Sequence, residues 1–338
     1  IVDDGAKTDV YYVDSGNYPT LLYVMGSKQV SDNLNVMAHV EYALQNNAQT
    51  SVSQDNQEAG LSTSSRFFEV SFDHKRYGKL WMGRGFMSSF LTVELDKSET
   101  WRYNLLSPGN SFGGMKFVDA SDNSLTDIQV AAAFLDVEAF SFRDRVRYDS
   151  PSFNGFQVSG SVGTGNSGDI ALRYNGRIGD VEVTAAGSWQ NNPLAGRIDD
   201  RVDGGVALFH EPSGFNLSVA GVRQDFTPGF YQQFGRTEGR NTGAVVRAGV
   251  RRQWSDRGET RFAVDYSRSE DVLWQSDAAD SFGIFGSQMF DELGLELYGG
   301  YRYYKLDVGP NAGGLSLKDM HGISIGARLL FDTKMSRQ

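Results

Sequence analysis

Apolar and polar side chains alternate along most of this chain with a period of two, the spacing of strands that separate two environments. Between Asn33 and Leu44, the residues Leu34, Val36, Ala38, Val40, Tyr42 and Leu44 fall on one face, while Asn35, Met37, His39, Glu41 and Ala43 fall on the other. The same parity sets Phe68, Val70 and Phe72 against Glu69, Ser71 and Asp73. It sets Val181, Val183, Ala185 and Trp189 against Glu182, Thr184, Ser188 and Gln190. Phe262, Val264 and Tyr266 oppose Arg261, Asp265 and Ser267, and Ile323, Ile325, Ala327, Leu329 and Phe331 oppose Ser324 and Arg328. A helical period is nearly absent. Each segment runs about 9 to 11 residues, the length a tilted strand needs to cross a hydrocarbon layer.

Turn residues part these segments in an alternation of short and long links. Short links include Ser31-Asp32-Asn33, Arg76-Tyr77-Gly78, Ser150-Pro151-Ser152, Pro212-Ser213-Gly214 and Ser255-Asp256-Arg257-Gly258. Long polar links run from Gln45 to Ser64, Gln190 to Asp200, Gln224 to Asn241, Glu270 to Ser281 and Lys305 to Lys318. Short turns at one rim and long loops at the other is the asymmetry of membrane barrels. The pattern predicts about 16 antiparallel strands. They fall near 8–13, 20–30, 33–45, 65–75, 78–87, 142–149, 155–163 and 168–176, then 180–190, 201–211, 214–224, 241–254, 259–269, 280–290, 292–305 and 318–331. An even number lets the last strand close on the first and leaves no unpaired edge in lipid. No linker or repeat interrupts the series, so residues 1–338 read as one domain.

One gap stands out, from Met87 to about Ser141. It carries Glu94, Asp96 and Glu99, then Ser107-Pro-Gly-Asn110, Gly113-Gly114 and an apolar stretch from Val130 to Phe140 that reads as helix or as a further strand. A lumen of this size is too wide to be filled by side chains alone, so the segment is expected to fold inward as a constriction loop.

Composition changes the picture in three ways. Only 22% of residues are charged and mean hydropathy is −0.39, values a soluble protein would share; alternation in a barrel averages to the same result. Absence of Cys excludes disulfides and thiolate metal sites, and a net charge of −10 argues against nucleic acid as a partner. Ile1 is no initiator, so the numbering is expected to start after a removed export signal or at a cloning boundary.

At three places the residues resemble the general bacterial porins, a family of trimeric 16-stranded barrels. They are Tyr77-Gly-Lys-Leu-Trp-Met-Gly-Arg84, Arg145-Val-Arg-Tyr-Asp-Ser-Pro-Ser-Phe-Asn-Gly-Phe156, and Glu296-Leu-Tyr-Gly-Gly-Tyr-Arg302 with the closing strand Gly322 to Phe331. The chain departs from the family by running on from Asp332 to Gln338 beyond the terminal aromatic Phe331, as a short extension, and by its poor first strand. The resemblance implies a transmembrane β-barrel in the outer membrane of a Gram-negative bacterium, a homotrimer among lipid and lipopolysaccharide. It would pass ions and small hydrophilic solutes through a water-filled pore.

It also implies a constriction where loop acids face wall bases. Parity puts Arg143, Arg145 and Arg147 on one strand face; on the lipid face each would cost about 2–4 kcal/mol near the midplane. They read as pore lining or as a solvated rim. Arg66, Arg173 and Arg302 also oppose apolar residues. Arg84 matches the family motif, but alternation sets it with Leu80 and Met82 unless Gly83 and Gly85 support a bulge. The acidic counterpart is Glu94, Asp96, Glu99, Asp119, Asp122 and Asp127, which equally suit an ordinary solvated loop. Basic wall faces lean the pore toward anions, while the loop and net charge pull the other way.

No catalytic motif or ligand spacing among His39, His74, His210 and His321 points to an enzyme or a cofactor. The loops carry acids enough for weak Ca²⁺ binding at most. The rival readings are a substrate-specific channel for sugars or small acids, a non-transport barrel such as an adhesin or anchor, and a soluble exported β domain. The substrate-specific channel would need a ladder of lumen aromatics, and Phe67, Trp81 and Tyr298 are too few to show one.

Overall fold

The computed structural model describes residues 1–17, 19–137, 142–194 and 196–330. It is all-β. Two short N-terminal strands, β1 (Val2–Asp3) and β2 (Thr8–Asp9), precede the long strands β3 (Thr20–Ser31), β4 (Leu34–Asn46), β5 (Leu61–His74) and β6 (Gly78–Phe86). A small hairpin, β7 (Lys116–Val118) and β8 (Leu125–Gln129), lies inside the long 87–141 connection, with one helical turn, α1 (Val130–Ala133). Then follow β9 (Phe142–Asp149), β10 (Phe156–Gly163), β11 (Ser167–Ile178), β12 (Val181–Leu194) and β13 (Ile198–His210). The series ends with β14 (Phe215–Phe226), β15 (Arg240–Ser255), β16 (Gly258–Glu270), β17 (Ala278–Phe290), β18 (Leu295–Asp307) and β19 (Met320–Leu329).

All but β7 and β8 join one 17-stranded sheet. Antiparallel pairing runs from β3 through β6 to β9, then in chain order to β19, and on to β1 and β2. The strand expected at 8–13 is instead the two fragments β1 and β2. Among the described residues no registered pair joins β3 to β19, β1 or β2, so hydrogen bonding does not close the sheet and the expected count of sixteen is not what is observed. β3 is open on both faces, with Leu22, Tyr23, Val24 and Met25 at 66, 54, 73 and 54% exposure.

Elsewhere alternation sorts the sides cleanly. Val146, Tyr148, Val158, Ile170, Leu172, Val202, Val219, Phe262, Ile284 and Leu297 are exposed on the outer face, while their neighbours Arg145, Ser159, Asp169, Arg201, Ser218, Asp265 and Glu296 are buried on the inner one. A dry, closed apolar core would show the reverse burial. The inner burial comes from segment 87–137, which packs against the concave side in two apolar clusters. Val93, Leu106, Leu135 and Val137 meet Ala220, Val222 and Val245. Met115, Phe117, Val130 and Phe134 meet Val52, Tyr304, Leu306 and Met320.

The five short links named for one rim fall as expected. At two of them the chain needs glycine: Gly78 and Gly214 have φ of +86° and +77°, and a Cβ would sit 2.2 Å and 2.1 Å from the carbonyl oxygens of Asp149 and Arg251. At the other rim the expected loop from Gln190 to Asp200 is shorter, because β12 and β13 continue to Leu194 and from Ile198. The apolar stretch from Val130 contains one helical turn; residues 138–141, like the extension 332–338, lie outside the described residues.

Candidate functional site

The concave space and the segment folded into it form the site, and wall arginines are what hold them together. A loop crossing a lumen exposes peptide carbonyls that strand neighbours cannot satisfy. Guanidinium groups supply the missing donors. Arg147 Nη1 donates to the Met87 carbonyl at 2.9 Å, and Arg173 Nη2 to those of Ser88 and Phe90, the latter at 2.7 Å. Arg201 reaches the Asp136 carbonyl at 2.9 Å and that of Val137 as well. Arg247 reaches those of Asn104 and Leu105 at 2.8 and 2.9 Å.

Charge pairing is densest around Arg247, which is fully buried. It meets Asp96 of the loop at 2.8 Å and Asp265 of β16 at 2.7 Å, and Arg302 of β18 shares Asp265 at 2.9 Å. Arg302 Nη2 also donates to Asn104 Oδ1 at 2.9 Å. Near the loop's start, Arg145 pairs with Glu69 at 2.5 Å and donates to the carbonyls of Phe86 and Gly83. Arg147 Nε bonds Asp149 at 2.8 Å, and Trp81 Nε1 donates to the same carboxylate at 2.8 Å.

Parity therefore found the right face for Arg143, Arg145, Arg147, Arg173 and Arg302, which share the inner side with Gly85, Gly83, Trp81, Ser159 and Ser281. Arg145 and Arg302 are consumed by loop and wall contacts, with 5 and 0% exposure. Arg66 reaches Glu41 at 2.6 Å because the pairing of β4 with β5 skips it, a bulge that turns its side chain inward. Arg84 is a correction. Register continues unbroken through Gly83, so Arg84 stands opposite Phe68 and Asp144 on the outer face, 3.9 Å from the Asp144 carboxylate.

The loop acids divide. Asp96 is bound to Arg247. Glu99 faces Arg251 at 3.3 Å. Glu94 accepts from the amides of Leu106 and Ser107 at 3.0 and 3.3 Å, and burial pushes its carboxyl up to about 7. Asp119, Asp122 and Asp127 are corrections to a shared acidic wall. They belong to the β7–β8 hairpin, which docks on the 308–319 loop through Ala120 and Lys318 backbone bonds, and Asp127 is spent on Lys116 at 3.1 Å. Sequence reasoning missed Arg201, Asp265, Glu69 and Glu296; alternation of Arg201 with Val202 and of Asp265 with Val264 and Tyr266 was the available signal. Among the described residues no group of three or more acids or histidines is placed to hold a metal ion.

A family model for Gram-negative porins matches residues 3–309. The chain belongs to this family. Three solved structures share its fold. An anion-selective porin from Comamonas acidovorans is 15% identical, with 94% of this chain and 91% of that one covered at a TM-score of 0.57. OmpF of Salmonella typhi, in complex with daunomycin, is 13% identical over 91% and 88%, at 0.57. OmpT of Vibrio cholerae, folded in vitro and in a trimer form, is 12% identical over 90% and 89%, at 0.52. Comparison with curated proteins gives no match. This porin is thus an outer-membrane channel for passive diffusion of solutes, and the resemblance seen in its motifs holds over nearly the whole chain.

Proposed function

We propose that this porin works as a homotrimer of general diffusion channels, each a 16-stranded barrel whose inward segment 87–141 sets the narrowest passage for ions and small hydrophilic solutes. One observation carries the reading: an apolar outer face and a polar inner face enclose a loop whose peptide oxygens are held by wall arginines. A held loop narrows a water-filled passage without plugging it, and fixed charges beside the passage act on passing ions. The open edge of β3, and that of β19 beyond its short pairing with β1, favour closure in the membrane, since unpaired strand edges are costly in lipid. The trimer form of the similar Vibrio protein supports three-fold assembly. Residues 1–338 act as one barrel domain without catalysis or a resident cofactor, among lipid and lipopolysaccharide.

Arg147 and Arg173 line the space beside the loop, while Asp96 and Glu99 of the loop are each paired with arginine. We therefore assign a modest anion preference, in keeping with the Comamonas porin's description. Planar bilayers with a salt gradient test this. Expected are conductance steps that close in thirds and a reversal potential on the anion side. A cation-side potential overturns the preference, single-step closure overturns the trimer, and absence of conductance overturns the channel.

A further inference from the structure

Beside the loop's root lies a cavity of about 340 Å³, within the roughly 300–1,000 Å³ typical of small-ligand pockets. Five ring side chains line it: His39 of β4, which stacks on Phe67 at 4.5 Å between centroids, Phe67 of β5, Trp81 and Phe86 of β6, and Phe90 of the loop. Phe67 meets Phe86 edge-on at 4.8 Å between centroids, and Phe86 stacks with Phe90. Trp81 is pinned through its Nε1 bond to Asp149. These rings are held by neighbours, so a flat guest would meet a prepared surface rather than order it on arrival.

The cavity's charge is as particular as its rings. Arg145 and Glu69, both in its wall, neutralise one another at 2.5 Å. Arg147 is different. Its Nε and Nη1 are used by Asp149 and the Met87 carbonyl, but among the described residues its Nη2 donates to no protein acceptor. The Arg147 side chain keeps 16% of its surface exposed, and that nitrogen is open to water. A planar guanidinium held by its other nitrogens, with a wet Nη2 beside packed rings, suits a carboxylate carried on a flat ring.

We propose that this cavity is a binding subsite for small aromatic carboxylates, with Arg147 taking the carboxylate and the Phe67, Phe86 and Phe90 cluster taking the ring. The subsite rests on the channel reading and adds a preferred solute class to it. A purely aliphatic acid would keep the charge contact and lose the ring contacts. An uncharged aromatic would do the opposite.

The test uses the full chain folded in detergent, with benzoate, cyclohexanecarboxylate and acetate as probes. Saturation-transfer NMR reads binding, and benzoate-induced current block in planar bilayers reads it during conduction. Benzoate should bind at least tenfold more tightly than acetate and severalfold more tightly than cyclohexanecarboxylate. Arg147→Gln should weaken benzoate about tenfold, the loss of one charge-assisted hydrogen bond. Because Arg147 also holds the loop, Phe67→Leu provides an independent arm; it makes no hydrogen bond and should abolish the preference for benzoate over cyclohexanecarboxylate. Conductance with equal binding of all three acids overturns the subsite and leaves the channel standing. Benzoate binding without conductance overturns the channel instead.

Discussion

Replacing Arg247 with Met removes the guanidinium on which the deepest part of the inward loop is fastened. In the parent, it satisfies the Asn104 and Leu105 carbonyls at 2.8 and 2.9 Å and faces Asp96 and Asp265 at 2.8 and 2.7 Å. Breaking a buried pair by deleting one partner costs about 3–5 kcal/mol, because the remaining charge stays dry and unpaired. Asp265 would keep Arg302 at 2.9 Å, whereas among the described residues Asp96 would keep only the Ser98 amide at 2.7 Å and the Thr100 hydroxyl. The penalty should therefore lie near the lower bound, about 3 kcal/mol, roughly a hundredfold in the equilibrium between seated and released loop. The outer strands keep all their ladder bonds, so the damage is local. Brief trypsin digestion of the folded protein reads it, since Lys97 and Lys116 lie in the segment and are shielded at 26 and 15% side-chain exposure. Arg247→Met should be cut there at least tenfold faster, with noisier open-channel current. Cutting and noise equal to the parent would refute the anchoring role.

Three further outcomes follow from the same contacts. The Glu94 carboxyl is raised by burial from 4.5 to about 7, so the folded state holds its proton more tightly than the unfolded one, and stability falls as pH climbs between those values and stays reduced above. About 3 kcal/mol corresponds to that rise, and with part of Glu94 still wet we expect about half; Glu94→Gln should flatten the pH dependence of loop proteolysis, and an unaltered profile would count against it. Leu172→Arg places a charge on the outer face, where Leu172 is 50% exposed, and should cost about 2–4 kcal/mol in lipid vesicles; an unshifted urea midpoint would mean that this face does not meet lipid. Glu69→Gln strands the buried Arg145 and should lower the melting temperature, and adding Arg145→Met should restore much of it; additive losses would argue that the two side chains act separately.

Strand positions were legible because lipid and water impose a simple parity on each crossing. Most predicted strands match to within three or four residues, β9 end to end. What parity could not supply was local irregularity and three-dimensional company. Arg66 reads as lumen-facing but reaches the inner side only through a bulge, and Arg84 drew a pore role from its motif although alternation already opposed it. The loop acids were the least legible, since no period governs an irregular segment: Asp96 found Arg247 from 151 positions away, whereas Asp127 went to Lys116 in its own hairpin. Weakness of the first strand was visible in advance, and the same scarcity of alternation leaves only β1 and β2 there.

Most of the arginine grip falls on main-chain oxygens, at Met87, Ser88, Phe90, Asn104, Leu105, Asp136 and Val137. Every residue type presents that oxygen, so side chains at these positions can be exchanged without surrendering attachment. Fastening and filtering are thereby assigned to different atoms of the same residues, and the passage can be retuned, by mutation or by design, while the inner scaffold stays put.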